Sequence, residues 1–196
     1  MTGRQRTFDK EAMLKTIMCV FWRNGYSGTS MTKLTEATGL TKPSLYLAYG
    51  NKEKMFKASL ERYLRMQSQS IGSTLNAPNR NLIERIGDFL KASARSATHT
   101  DTPHGCFVLA ASTEAHSHSM PEGIRALIDN INTTALNMLI DCIIMDTDGP
   151  LNPVDARKQA QHILVLQSGV MQMALRNMDY AALEETIETA LEATKF

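Results

Sequence analysis

The sequence predicts an all-α fold: an N-terminal three-helix unit built on a helix-turn-helix, followed by a larger helical unit. Three observations carry this. Apolar residues recur at three- and four-residue spacing, the period of an amphipathic helix. Aromatics are sparse, with five Tyr, six Phe and one Trp, and no alternating strand run is present. Ser, Asn, Asp, Gly and Pro punctuate the periodic stretches at the positions where helices start and stop. At 196 residues and 43% hydrophobic content the chain can bury a real core.

The first helix is expected from about Asp9 to Asn24, with Asp9 as N-cap, Gly25 as stop, and a stripe of Met13, Ile17, Val20 and Phe21. The turn "GYSGTS" leads to a second helix from about Met31 to Thr38, capped by Ser30 and ended by Gly39. Leu40 and Thr41 open a third short helix, with Pro43 in its first turn, where a missing N–H is tolerated, and Gly50 behind Tyr49. Asn51 can cap a long fourth helix whose Met55, Phe56, Leu60, Tyr63 and Leu64 repeat at helical spacing and which links the two units.

Past "NAPNRN" a helix is expected from about Leu82 to Ala97, and past "THTDTPHG" another from about Cys106 to His116. Pro121 opens a helix reaching about Met145, in which Ile124, Ile128, Ile131, Ala135, Met138, Cys142 and Met145 alternate strictly by four and three, a packing seam. Further apolar residues widen that surface, so burial on two sides is expected, one of them against a second chain. Helices from about Val154 to Asn177 and over "ALEETIETALEA" complete the chain, and His162 reads as a core histidine.

The net charge of +1 conceals opposite halves. Residues 1–65 hold twelve Lys and Arg against five Asp and Glu, net +7, while residues 66–196 hold nine against fifteen, net −6. We take this as the domain boundary. A basic module suits a polyanion, because neutralised phosphates release condensed counterions. No apolar run approaches the roughly eighteen residues of a membrane span, and the N-terminus lacks the apolar stretch of a secretory signal, so a cytoplasmic location is expected. Cys19, Cys106 and Cys142 are too scattered for a disulfide framework and read as free thiols.

The stretch "TGLT" between two short helices, with basic residues on the second, describes a helix-turn-helix. Gly39 permits the reversal, Leu34 and Leu40 can pin the helices together, and Thr41 with Lys42 stands at the helix end that would enter a major groove. From Arg6 to Tyr63 the chain closely resembles the TetR family of bacterial transcriptional regulators. The resemblance rests on "FWRNGYSGTSMTKLTEATGLTKPSLYLAYGNKEKMF": Phe and Gly-Tyr at the end of helix one, Gly-Thr-Ser before helix two, Leu-Tyr in helix three, and Lys-Glu opening helix four. It implies an all-helical homodimer that binds double-stranded operator DNA and is released by a small-molecule inducer held in its C-terminal domain. By carry-over, Thr29, Ser30, Tyr46 and Lys52 look like phosphate contacts, and Lys33, Lys42, Ser44 and Leu45 like residues near base edges, with Thr41 at the same helix end. Tyr49 is expected to pack between helices.

Two departures stand out. Pro43 occupies a place where many members have glycine, and Leu47 and Ala48 replace the polar or aromatic residues often found there. Both point to a base readout that is narrower or uses other contacts.

In the C-terminal half, Cys106 opens a helix, where a thiol can be activated, and Met138 and Met171 are among methionines suited to an adaptable pocket. These three are the candidate ligand contacts. A metal site from His104, Cys106, Glu114, His116 and His118 is disfavoured, because histidines two apart diverge by about 200° on a helix. With no Gly-rich phosphate loop and no serine, histidine and acid set as a triad, neither a catalytic residue nor a cofactor is expected. The alternative reading is a helical small-molecule or redox sensor with vestigial DNA binding.

Overall fold

A computed structural model describes residues 9–115, 120–146 and 152–193. Among these residues the chain forms α1 (Lys10–Asn24), α2 (Met31–Thr38), α3 (Lys42–Tyr49), α4 (Lys52–Ser70), α5 (Leu82–Ala97), α6 (Phe107–Ala115), α7 (Glu122–Ile144), α8 (Pro153–Leu175) and α9 (Tyr180–Ala193), with no strand.

Most helix starts are fixed by a side-chain oxygen that accepts an otherwise unpaired backbone N–H. Asp9 accepts from Glu11 and Ala12, Ser30 from Lys33, Thr41 from Ser44, and Asn51 from Lys54. Asn81 and Glu84 form a reciprocal capping box at the start of α5. Between α2 and α3, Gly39 adopts the left-handed φ of +68° and its N–H closes on the Thr35 carbonyl, which makes the reversal tight. The eighth helix stops at Leu175 rather than Asn177: Asn177 turns to a positive φ of 65° and the Met178 N–H folds back to the Met173 carbonyl.

Two apolar cores result. The first joins Ile17, Phe21 and Trp22 of α1, Leu34 of α2, Leu45 of α3, and Met55, Phe56, Leu60 and Tyr63 of α4, and it is closed by Phe107, Ala111 and Ala115 of α6 and Ile124 and Ile128 of α7. The second packs α5 against α8 and α9, with Leu139, Cys142 and Ile143 of α7 and with Ile71 and Leu75 beyond α4. Cys106 packs against both.

The heptad seam expected on α7 is corrected. Ile124, Ile128 and Cys142 of the seam are buried, but Met138 and Met145 are 45% and 78% exposed, and Leu139 and Ile143 face the core beside Cys142. A straight helix drifts about 20° per heptad against a strict four-three repeat, so the buried stripe has moved by about 40° at Met138, two heptads past Ile124. His162, expected in the core, lies on the exposed face of α8.

An ion pair anchors the far end of the second core. Arg85 of α5 pairs with Asp146 beyond α7 and donates to the Leu75 carbonyl at 3.0 Å. Side-chain exposures of 14% and 8% leave both charges little water, so each depends on the other.

Candidate nucleic-acid interface

The helices α2 and α3 are too short to hold themselves and are positioned by what they bury. Leu34 and Leu45, both fully buried, pin them to α1 and α4. Pinning Leu45 inward turns the other side of α3 outward: Lys42, Pro43, Tyr46 and Leu47 are exposed, with Ser44 half-buried between them. The Tyr49 hydroxyl donates to the Lys10 carbonyl at 2.8 Å, tying the end of α3 to the start of α1. At the start of α3 the Thr41 and Ser44 hydroxyls lie 2.9 Å apart, sharing a hydrogen bond that orders the helix end.

Each residue expected in this interface has a definite place. Ser30, Lys33, Thr41, Lys42 and Tyr46 are exposed, and Lys52 is half-buried at the start of α4. Lys42 Nζ lies 5.9 Å from the centre of the Tyr46 ring, so charge and aromatic face present together. Lys33 Nζ donates to Asn24 Oδ1 at 2.9 Å and to the Gly28 carbonyl at 2.8 Å. Lys52 Nζ sits 4.3 Å from the Tyr26 ring centre, and burial lowers its pKa from the ordinary lysine value while the nearby Glu114 carboxylate opposes the shift.

Two of the expected contacts are corrected. Leu45 has no exposed surface and belongs to the core, so it cannot reach a base edge. Thr29 is also fully buried, and its hydroxyl donates to the Gly25 carbonyl at 2.7 Å, where it closes the turn before α2 instead of meeting a phosphate.

One residue that positions this surface was invisible in the sequence. Glu114 of α6 accepts the backbone N–H groups of Tyr26 and Ser27 with one carboxylate oxygen each, both at 2.7 Å, and so holds the α1–α2 turn from the body of the protein. Charge-assisted pairs of this kind are the stronger hydrogen bonds. The partners lie 88 and 87 positions apart, a distance no local signal spans. Beside this latch, the rings of Trp22, Phe56, Tyr63 and Phe107 meet edge-to-face or stacked, with centroids 5.0 to 5.9 Å apart, joining α1, α4 and α6.

The three candidate ligand contacts are not brought together. Met138 is exposed on α7 and Met171 is buried in the second core. Cys106 receives the Tyr63 hydroxyl at 3.3 Å and the Leu109 N–H at 3.4 Å, yet burial raises its pKa above the ordinary thiol value. None of the three lines either of two cavities beside α5: a polar groove of 1060 Å³ over α4 and α5, which includes Gln67, Lys91, Arg95 and His99, and an apolar one of 400 Å³ between α8 and α9. Among the described residues no cluster of His, Cys, Asp and Glu could hold a metal, and His116 and His118 lie outside them.

Residues 13–59 match the family model described as bacterial regulatory proteins, tetR family. Over 107 residues the chain is 37% identical to the HTH-type transcriptional repressor ComR of Escherichia coli (strain K12), a match covering 55% of this chain and 51% of ComR. It is 29% identical over 116 residues to the HTH-type transcriptional repressor BdcR of the same organism, covering 59% of this chain and 57% of BdcR. The chain thus spans only a little over half the length of these curated relatives. Among solved structures, a cysteine mutant of the TetR family transcriptional regulator CifR, complexed with 26 bp double-strand operator DNA, superposes with a TM-score of 0.87 at 27% identity, covering 98% of this chain and all of that one. Residues 13–59 thus carry the DNA-binding domain of the tetR family of bacterial regulatory proteins, and the chain as a whole shares the fold of the TetR family regulator CifR.

Proposed function

We propose that the protein is a homodimeric transcriptional repressor whose residues 1–65 bind a palindromic operator and whose residues 66–196 hold the inducer and the dimer contacts. The observation that carries this reading is the outward face of α2 and α3: Ser30, Thr41, Lys42 and Tyr46 stand exposed on helices whose other sides are locked into a core, within a segment of net +7. The operator-bound CifR structure supports it. Ser30, Tyr46 and Lys52 serve as phosphate contacts that set register, while Lys33, Thr41, Lys42 and Ser44 lie toward base edges. For Lys33 this requires release of its bonds to Asn24 and Gly28. The protein acts in the cytoplasm, beside the DNA.

Repression and release are geometric. Two recognition helices must stand about 34 Å apart to meet successive major-groove faces. A ligand that favours another spacing lowers affinity by shifting the population, and about 1–3 kcal/mol of coupling changes affinity 5- to 150-fold. The polar groove over α4 and α5 is large enough for a small molecule, whereas the apolar hollow between α8 and α9 is lined in part by Val165 and Met173. The apolar Val165, Met173 and Leu175, exposed on α8, offer the surface for the second copy.

A salt titration of binding to operator duplex tests the reading. Specific affinity should fall linearly on a log-log plot as salt rises. The Lys52→Ala variant should bind all sequences more weakly with a shallower slope, whereas Lys42→Ala should change the preference among operator variants. Absence of any preferred sequence at every salt concentration would overturn the proposal.

A further inference from the structure

Leu47 is the most exposed of the large hydrophobic side chains described, with 85% of its surface open to water. A single exposed leucine on a protein surface needs no explanation. Its surroundings on α3 make this one different. It lies two residues past Leu45, which is fully buried, so the helix turns Leu47 almost directly away from the core. Pro43, one turn earlier at the i−4 position, is exposed on the same side, and Tyr46 and Lys42 flank the pair. The outermost ridge of the recognition helix is therefore saturated hydrocarbon, set between a cation and an aromatic ring.

A leucine and a proline ring can neither donate to nor accept from a base edge. The one apolar group displayed in the major groove of DNA is the C5-methyl of thymine. The charge of the module, net +7 over residues 1–65, selects a polyanion as the occupant of this face. We propose that Leu47, with Pro43 beside it, reads thymine methyl groups in each operator half-site, supplying the apolar base contact that the buried Leu45 cannot make. This rests on the operator-binding reading above and deepens it by naming the base feature that is recognised.

The full-length protein first selects its preferred duplex from a random-sequence pool. Each thymine of that duplex is then replaced in turn by deoxyuridine, which removes the methyl group and leaves the Watson–Crick edge intact. Fluorescence anisotropy at fixed salt should show affinity falling about fourfold per half-site at one or two positions, the value of one buried methyl-sized group. The Leu47→Ala variant should bind the unmodified operator more weakly by a similar factor and be indifferent to uridine at those same positions. Its salt slope should equal that of the wild type, since no charge is removed, and its melting temperature should be unchanged, since the side chain is outside the core. The proposal is overturned if no replaced methyl affects the wild type, if Leu47→Ala retains the wild-type uridine penalty, or if the selected half-site contains no thymine. A pool that yields no preferred sequence would instead sink the operator-binding reading along with it.

Discussion

Tyr46 and Tyr49 sit one turn apart on α3 and meet different surroundings. Tyr46 is 42% exposed with Lys42 near its ring, while the Tyr49 hydroxyl is held by the Lys10 carbonyl. The Tyr46→Phe change should therefore weaken binding to every operator sequence by about tenfold, the worth of one hydrogen bond to a charged group, with the melting temperature unmoved. Conversely, Tyr49→Phe should cost about 1 kcal/mol of unfolding free energy in urea, because it removes the hydrogen bond that ties the end of α3 to the start of α1. Cys106 offers a third case at this scale. Since burial raises its pKa, less of it is thiolate at pH 8 than in an exposed cysteine, so iodoacetamide should label it at least about tenfold more slowly in the native protein than in urea. Peptide mass spectrometry reads this directly, and rapid native labelling would revive the thiol-sensing alternative.

Among elements, the α1–α2 turn is the one most dependent on a distant partner. Gly25 combines a φ of +70° with a position where an added Cβ would come within 2.5 Å of a Glu114 carboxylate oxygen. Gly25→Ala should thus lower stability by about 1–3 kcal/mol, combining backbone strain with displacement of the carboxylate. Glu114→Ala removes the acceptor itself, and the Tyr26 and Ser27 amides should then exchange hydrogen faster in a mass-spectrometric time course. Helices were largely legible in the sequence because their caps are local: Asp9, Ser30 and Asn51 announce themselves within three residues of the bonds they make. The latch was not legible, since the sequence singles out Glu114 only beside nearby histidines, while its partners Tyr26 and Ser27 lie 88 and 87 positions away. Nor was the inward turn of Leu45 and Thr29. Neighbouring family motifs place a residue in a helix, but only the packing of Leu34, Phe21 and Phe56 decides which side of that helix meets solvent. The α7 seam failed for a related reason: periodicity reveals an apolar surface without saying where along its length the partner changes from one core to the other.

Under the proposed function, the opposed charges of the two halves and the exposed apolar side chains of α8 serve one arrangement: an acidic body that pairs with its copy and two basic modules that it holds apart. If so, Val165→Glu should convert the dimer to monomer in sedimentation velocity and abolish cooperative operator binding, because it puts a charge into an apolar contact. Loss of Asp146 should act elsewhere. It strands Arg85 at the end of α5 and should cost about 3 kcal/mol of stability without altering the monomer–dimer balance. The first core carries a further lesson for anyone wishing to transplant the recognition helices. Phe107, Ala111 and Ala115 of α6 and Ile124 and Ile128 of α7 complete the packing around Phe56 and Tyr63. A chimera spliced at residue 65 would therefore arrive with an open socket where those side chains belong. A graft that brings its own α6 and the first turns of α7 would carry the missing wall with it, making the transferable cassette discontinuous in sequence.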